Sequence, residues 1–190
     1  MTKEEFDAMW TIVHGPGTSD GTNAPLYIQQ DKTEMWELCQ RLAKLNPQKG
    51  LEIGNACGGT TFFWQALAPL VVSIDLEPVG STDGEFSPDR TKDVTFILGD
   101  SHAQETLRQA EEFAPYDFLF IDGDHTREGV RLDYEMYSPL VRKGGIVAFH
   151  DWGYEAGPPS HYPIRECIAG SGHTPEVIQH SHFGIAVLYV

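Results

Sequence analysis

Basic residues are scarce in this chain: 13 Lys and Arg stand against 28 Asp and Glu, a formal charge of −15 with histidines neutral. So negative a chain repels phosphate backbones and anionic headgroups, and no run of Lys or Arg offsets it locally. Nucleic acid and membrane surfaces are therefore not expected as partners, which still leaves room for one small polyanionic substrate at a local basic spot. Cysteine is also sparse. Cys39, Cys57 and Cys167 are odd in number, far apart and outside any CxxC pair, so neither a disulfide framework nor a zinc knuckle fits and a reducing, cytoplasmic setting is expected. No apolar stretch approaches the roughly 18 residues of a membrane span, and Met1-Thr2-Lys3-Glu4-Glu5 is not a leader pattern. Apolar residues are not lacking. At 41% apolar, 11% aromatic and 190 residues in all, the composition is that of one folded globular domain.

Phe6, Met9, Trp10 and Val13 follow the spacing of a short amphipathic helix, and residues 14–25, dense in turn formers, break it. A second helix is expected from about Asp31, with Glu34 placed for a capping pair and Met35, Leu38, Leu42 and Leu45 on one face; Pro47 and Gly50 end it. Residues 1–47 thus read as a helical cap segment before a core at 48–190. In that core, apolar runs at 50–53, 70–75, 94–98, 116–121, 145–149, 176–179 and 183–190 are separated by helical stretches at 60–68, 101–113 and 126–141. This is the pattern of strands joined by crossover helices, a parallel α/β sheet covered on both faces. Ser101 and Gln104 have capping-box spacing, and residues 76–93 lack helical periodicity, so a long loop is expected there. In such sheets ligands bind at the carboxyl ends of the strands, beside the switch in strand order.

The segment Leu51-Glu52-Ile53-Gly54-Asn55-Ala56-Cys57-Gly58-Gly59-Thr60-Thr61 reads as a strand end, a glycine turn and a helix start. Glycine permits close backbone approach to a ligand, and a helix N-terminus offers free N–H groups. A dinucleotide fingerprint needs G-x-G-x-x-G opening onto a pyrophosphate. Here Gly54 is followed by Gly58 and Gly59, and Glu52 precedes the turn; a carboxylate so placed favours an ammonium or sulfonium, although the same residues also suit a plain tight turn. Asp75 closes the run Val71-Val72-Ser73-Ile74 about 20 residues further on, where an acid accepts hydrogen bonds from a ribose diol. Asp100 is placed to reach an adenine amino group, and Ser101 to cap the following helix. Cys57 has no basic neighbour in sequence to lower its pKa, so small-residue packing is its expected role.

Glu52-x-Gly54-x-x-x-Gly58, Asp75 and Gly99-Asp100 on successive strands resemble motifs I to III of the class I S-adenosylmethionine-dependent methyltransferases. The resemblance implies a Rossmann-like, doubly wound sheet, mostly parallel with an antiparallel last strand at 183–190. It also implies S-adenosylmethionine as cofactor, held by Glu52, Gly54, Asn55, Gly58, Asp75, Asp100, Ser101 and Asp122, with Tyr27–Asp31 closing over it. Phe118–His125 and Lys143–Asp151 are similar to the cephalosporin-hydroxylase-like and sugar or macrolide O-methyltransferase branch, and more distantly to the catechol O-methyltransferases. By that likeness Asp122, His150 and Asp151 hold a divalent metal and His125 is the base. An imidazole near its reference pKa of about 6.5 suits proton abstraction at neutral pH. His150 stands where the branch usually has an acid. Two carboxylates alone suit Mg²⁺, and an added imidazole moves the preference toward Mn²⁺, Fe²⁺, Co²⁺ or Zn²⁺; a metal-free site with His125 or His150 as base also stays open. Taken without the family, Asp122 to His125 puts two carboxylates and an imidazole just past a buried strand, and Asp124 fits as a cap for the helix near Thr126.

Residues 152–165 read as an aromatic, Gly/Pro-rich loop over the mouth of the site, its rings able to stack on a sugar or ring substrate or to pack the loop down. The expected protein is a metal-assisted O-methyltransferase acting on a small hydroxylated molecule such as a sugar or polyketide-like ring. A metal-independent methyltransferase and a non-catalytic nucleotide-binding Rossmann module are the alternatives, and the glycine spacing disfavours an NAD enzyme. A homodimer is compatible with the sequence.

Overall fold

Every apolar run read as a strand becomes one in the computed structural model, which describes residues 1–14, 28–78, 93–156 and 161–190. The strands are β1 (Lys49–Ile53), β2 (Leu70–Asp75), β3 (Val94–Leu98), β4 (Tyr116–Ile121), β5 (Val141–His150), β6 (Glu176–Ile178) and β7 (Ile185–Tyr189). They form one seven-stranded sheet in the order β3-β2-β1-β4-β5-β7-β6. β1 to β5 are parallel, whereas β7 is antiparallel to both β5 and β6. This is the doubly wound, Rossmann-like arrangement with an antiparallel last strand. The chain winds outward from β1 to β3 and then returns to the other side of β1 at β4, which opens a crevice above the adjacent ends of β1 and β4.

Side chains alternate along each strand and divide the core into two layers. Phe118 and Phe120 of β4 pack with Phe6, Trp10, Met35, Leu38 and Phe63 from α1 (Lys3–His14), α2 (Lys32–Ala43) and α3 (Gly59–Gln65). Leu119 and Ile121 face the other layer, with Ala110, Val130, Ile164 and Ile168 from α4 (Gln104–Glu111), α5 (Arg127–Tyr137) and α6 (Pro163–Ser171). Each large apolar side chain buried this way contributes about 1.5–3 kcal/mol, so the N-terminal helices, with Phe6, Trp10 and Val13 buried, are part of the core and not an appendage to it.

Local departures from expectation have identifiable causes. α4 begins at Gln104, and the Ser101/Gln104 box does not form: the N-cap position falls on Ala103, while Asp100 Oδ1 accepts the His102 N–H at 2.9 Å. α5 stops at Tyr137, because Pro139 has no N–H to continue the ladder and only a 3₁₀ turn follows over Ser138–Leu140. β5 starts four residues before the expected 145, at Val141. α6 was not expected. Pro163 opens it and Gly172, at φ +77°, closes it, but nine residues carry too short an apolar stripe to stand out from an aromatic loop. Asp31 caps α2 by accepting from Thr33 N at 2.8 Å and Glu34 N at 3.1 Å. Glu34 does not return the bond; fully buried, it accepts the backbone N–H groups of His180, Ser181 and Gly184. The expected breaker over 14–25 starts one residue later, since His14 is still the last residue of α1; the rest of it, with Tyr27, most of the loop at 76–93, and positions 157–160 lie outside the described residues. Among the described residues no helix is long and apolar enough to cross a membrane.

Candidate functional site

The tips of β1, β2 and β4 are tied together where the crevice opens. Asp122 N donates to Ile53 O at 2.8 Å and Gly54 N to Ile74 O at 2.9 Å. Gly54 sits at φ +84°, and a Cβ there would lie 2.2 Å from the Asp122 carbonyl oxygen, so no other residue fits this crossing. Above it is a cavity of about 810 Å³. Gly54, Asn55, Asp75, Asp100, Ser101, Asp122 and His125 all line it, and Ile28, Gln29 and Gln30 close it from the N-terminal side.

Two expected cofactor contacts lie outside that lining. Glu52 is fully buried beneath the turn, where it accepts hydrogen bonds from Thr60 Oγ1 (2.5 Å), Thr61 Oγ1, Trp64 Nε1 (2.8 Å) and Ser73 Oγ (2.8 Å). Burial pushes its carboxyl up to about 7 against those four donors. It fastens α3 to β1 and β2 and does not face a cationic ligand. Gly58 forms the N-cap of α3 at φ +77°, also away from the cavity. Asp75 faces the cavity and props the turn at once: Oδ2 accepts from Asn55 N at 2.8 Å and Ala56 N at 3.0 Å, and Oδ1 from Glu77 N at 3.2 Å. Of the roughly four acceptor sites on a carboxylate these three donors take all but about one, on Oδ1. Ser101 presents its backbone oxygen to Tyr137 Oη at 2.7 Å. Asp124 Oδ1 accepts from Thr126 N at 2.8 Å, while Thr126 itself caps α5 by accepting from Gly129 N at 3.0 Å.

The four residues expected at the metal and base positions meet in one cluster, of which Asp122 and His125 line the cavity while His150 and Asp151 lie behind them, outside the lining. His125 Nε2 is 2.7 Å from Asp151 Oδ2 and 3.5 Å from Asp122 Oδ1; His150 Nδ1 is 3.2 Å from Asp122 Oδ1 and 3.2 Å from Asp151 Oδ1. Asp151 takes the left-handed φ of +63° where β5 ends. His150 is 4% exposed and stacks on Phe183, with Nε2 lacking a hydrogen-bond partner among the described residues, whereas the His125 side chain is 43% exposed beside Tyr154. Hydrogen bonds to Asp122 and Asp151 raise His125 to about 10. Burial works against a charged His150, but the same two carboxylates outweigh it and hold it at about 10 as well. Burial would raise Asp151; the two histidines hold it below the usual carboxylate range. The expectation of an imidazole near its reference pKa therefore fails for the bare cluster: two converging carboxylates require a cation, and protonated imidazole supplies it. The donors also fit a divalent cation. His125 Nε2 and one oxygen each from Asp122 and Asp151 lie within 4.8 Å of one another.

Over residues 51–152, more than half of the chain, the sequence matches a family described as Methyltransferase domain. The chain belongs to this methyltransferase family. A rhamnosyl O-methyltransferase of Mycobacterium leprae (strain TN) is 25% identical over 134 residues, 63% of this chain and 55% of that protein. An uncharacterized protein of Acanthamoeba polyphaga mimivirus is 28% identical over 112 residues, 54% of this chain and 50% of that one. The chain thus spans about half the length of these two relatives. Among solved structures, the O-methyltransferase from Bacillus cereus in complex with SAH has a TM-score of 0.69 at 16% identity, covering 100% of this chain and 92% of that one. MycE methyltransferase from the mycinamycin biosynthetic pathway, in complex with Mg, SAH and mycinamycin VI, has a TM-score of 0.61 at 19% identity, covering 80% of this chain and 48% of that one. At such identities the likeness is one of fold, and it agrees with the class I methyltransferase resemblance in the motifs.

Sequence reasoning missed three residues at or beside this candidate site, Gln30, His102 and Asp133. Gln30 donates through Nε2 to Asp122 Oδ2 at 2.6 Å; the segment around it stood out as a closing element, but nothing singled out this side chain. His102 lines the cavity with Nε2 3.2 Å from the fully buried Asp133 of α5. An acid on a helical stretch and a histidine after a strand carry no pairing signal until the fold joins them.

Proposed function

We propose that the chain is an S-adenosylmethionine-dependent O-methyltransferase that works with a divalent cation on a small hydroxylated molecule such as a sugar or polyketide-like ring. One observation carries this reading: Asp122 belongs both to the wall of the 810 Å³ cavity and to the His/Asp cluster beside it, so a cofactor and a cation would sit side by side. The names of the rhamnosyl O-methyltransferase and of the MycE complex with Mg, SAH and a macrolide support the same class for the acceptor.

In this reading Asp75 meets the ribose, Asp100 the adenine, and the glycine turn at Gly54 and Asn55 the aminoacyl end. Asp122, Asp151 and the buried His150 would hold the cation, and His125, which groups with the same two carboxylates in the bare cluster, would have to turn out of it to act as base; a nitrogen and oxygen donor set of this kind suits Mn²⁺, Fe²⁺, Co²⁺ or Zn²⁺ better than Mg²⁺. When bound there, it would supply Lewis-acid polarisation of the acceptor hydroxyl. His125, the more exposed histidine, would take the hydroxyl proton at Nε2. For that it must shed the proton that Asp122 and Asp151 hold on it, which follows when a second positive charge competes for the same carboxylates. Tyr154, whose ring packs edge-on against His125, would be the aromatic side chain nearest a ring substrate, and alignment of nucleophile and methyl would provide much of the rate.

The test is transfer of labelled methyl from S-adenosylmethionine to a panel of rhamnosides, macrolides and catechols, with EDTA and Mn²⁺ add-back. Turnover lost in EDTA and restored by Mn²⁺ at least as well as by Mg²⁺ is the expected result. Undiminished transfer in chelator would establish the metal-independent alternative, and cofactor binding without transfer to any acceptor a non-catalytic module.

A further inference from the structure

The start of α2 reaches the cluster by two routes. Gln30, immediately before the N-cap, is 7% exposed and donates to Asp122 Oδ2 at 2.6 Å across 92 positions of sequence. Four residues on, Glu34 accepts the backbone N–H groups of His180 and Ser181 at 2.6 Å each and of Gly184 at 3.2 Å, fixing the loop whose Phe183 stacks on His150 with ring centroids 5.6 Å apart. Between them Asp31 caps the helix, and Met35, Leu38 and Leu42 bury it. Gln30 is therefore anchored next to a capped, packed helix, and its Nε2 is the end of the amide that has a partner, Oε1 being buried with none among the described residues.

We propose that Gln30 is a positioning residue for the cation site: its amide holds Asp122 Oδ2 and so turns Oδ1 toward the cluster. Oδ1 is the atom 3.2 Å from His150 Nδ1 and 3.5 Å from His125 Nε2. A carboxylate has about four acceptor sites over two oxygens, and an unrestrained one rotates to offer either oxygen or both. A donor on Oδ2 restrains that rotation and favours the orientation in which Oδ1 faces the two histidines. The assignment rests on the cation reading above and adds to it a residue from outside the segment that matches the methyltransferase family.

The experiment is Mn²⁺ affinity by electron paramagnetic resonance, with no cofactor or acceptor present, for the wild type, Gln30→Ala and Gln30→Met. Methionine keeps the length and burial of the side chain but donates nothing. Both variants should weaken Mn²⁺ binding by roughly 10- to 100-fold, the loss typical of removing a group that orients a metal ligand, and Gln30→Met should keep the wild-type near-ultraviolet circular dichroism and urea midpoint. Wild-type Mn²⁺ affinity in Gln30→Met overturns the role of Gln30 while the site stands, whether or not the alanine variant is weakened. A wild-type protein that takes up no Mn²⁺ overturns the cation reading itself, and this assignment with it.

Discussion

Replacing Glu52 by Gln should remove a pH dependence of folding stability that the wild type carries. Glu52 has a folded-state pKa of about 7 against a reference of 4.5. Between those values the folded state binds more protons than the unfolded state, so this group's contribution is full at low pH and is lost as pH rises toward 7 and beyond. Integrated from about pH 5 to 8, the loss is about 2.5 kcal/mol. Glutamine is nearly isosteric with the protonated acid and can keep the network. Its oxygen accepts from Trp64 Nε1, which can only donate, and from Thr60, while its NH₂ donates to the hydroxyls of Thr61 and Ser73, which can turn to accept. Urea unfolding of both proteins at about pH 5 and 8 gives the assay, and subtracting one from the other cancels the histidines and the remaining carboxylates. The stability gap should move by about 2.5 kcal/mol in favour of the variant between those pH values. A gap that does not change with pH would mean that Glu52 is ionised throughout, and the account of this buried network would be wrong.

Gly54→Ala should cost several kcal/mol, or prevent folding, because its Cβ would lie 2.2 Å from the Asp122 carbonyl at a φ of +84°; thermal unfolding measures it. Glu34→Ala leaves three backbone donors without their acceptor and should cost on the order of 3 kcal/mol or more in urea unfolding. His125→Gln should lower turnover by roughly 10²- to 10⁴-fold with Mn²⁺ affinity retained; loss of Mn²⁺ binding would make His125 a ligand and leave His150 to be tested as base. Because His125 and His150 are both held at about 10 in the bare cluster, a cation must displace protons to bind, and apparent Mn²⁺ affinity should rise at least about tenfold per pH unit through neutrality. Calorimetry in buffers of different ionisation enthalpy would count the protons released.

The strands were legible in the sequence because each is a short apolar run bounded by turn formers, and the site's skeleton because Gly54, Asp75, Asp100 and Asp122 stand at strand ends. Less legible were features that depend on who meets whom in space. Glu52, next to the glycine turn, reads as a ligand contact, yet Thr60, Thr61, Trp64 and Ser73 converge on it only once α3 folds back over β1 and β2. Glu34 has capping-box spacing, but the backbone donors of 180–184 claim its carboxylate. Gln30 has no local signature at all, since its partner Asp122 lies 92 positions away. The protonation of His125 likewise could not be read from a reference pKa, because it comes from two carboxylates on the ends of different strands.

In the proposed function one cavity seats the cofactor beside a cation shared through Asp122. A crystal grown with S-adenosylhomocysteine and Mn²⁺ tests it most directly, read by anomalous scattering at the manganese edge. The nucleoside should lie between Asp75 and Asp100 and the sulfur under the wall formed by Ile28 to Gln30, with one strong anomalous peak coordinated by Asp122 and Asp151 and an imidazole completing the set. S-adenosylhomocysteine bound elsewhere, or bound there with no anomalous peak at Asp122, would contradict it.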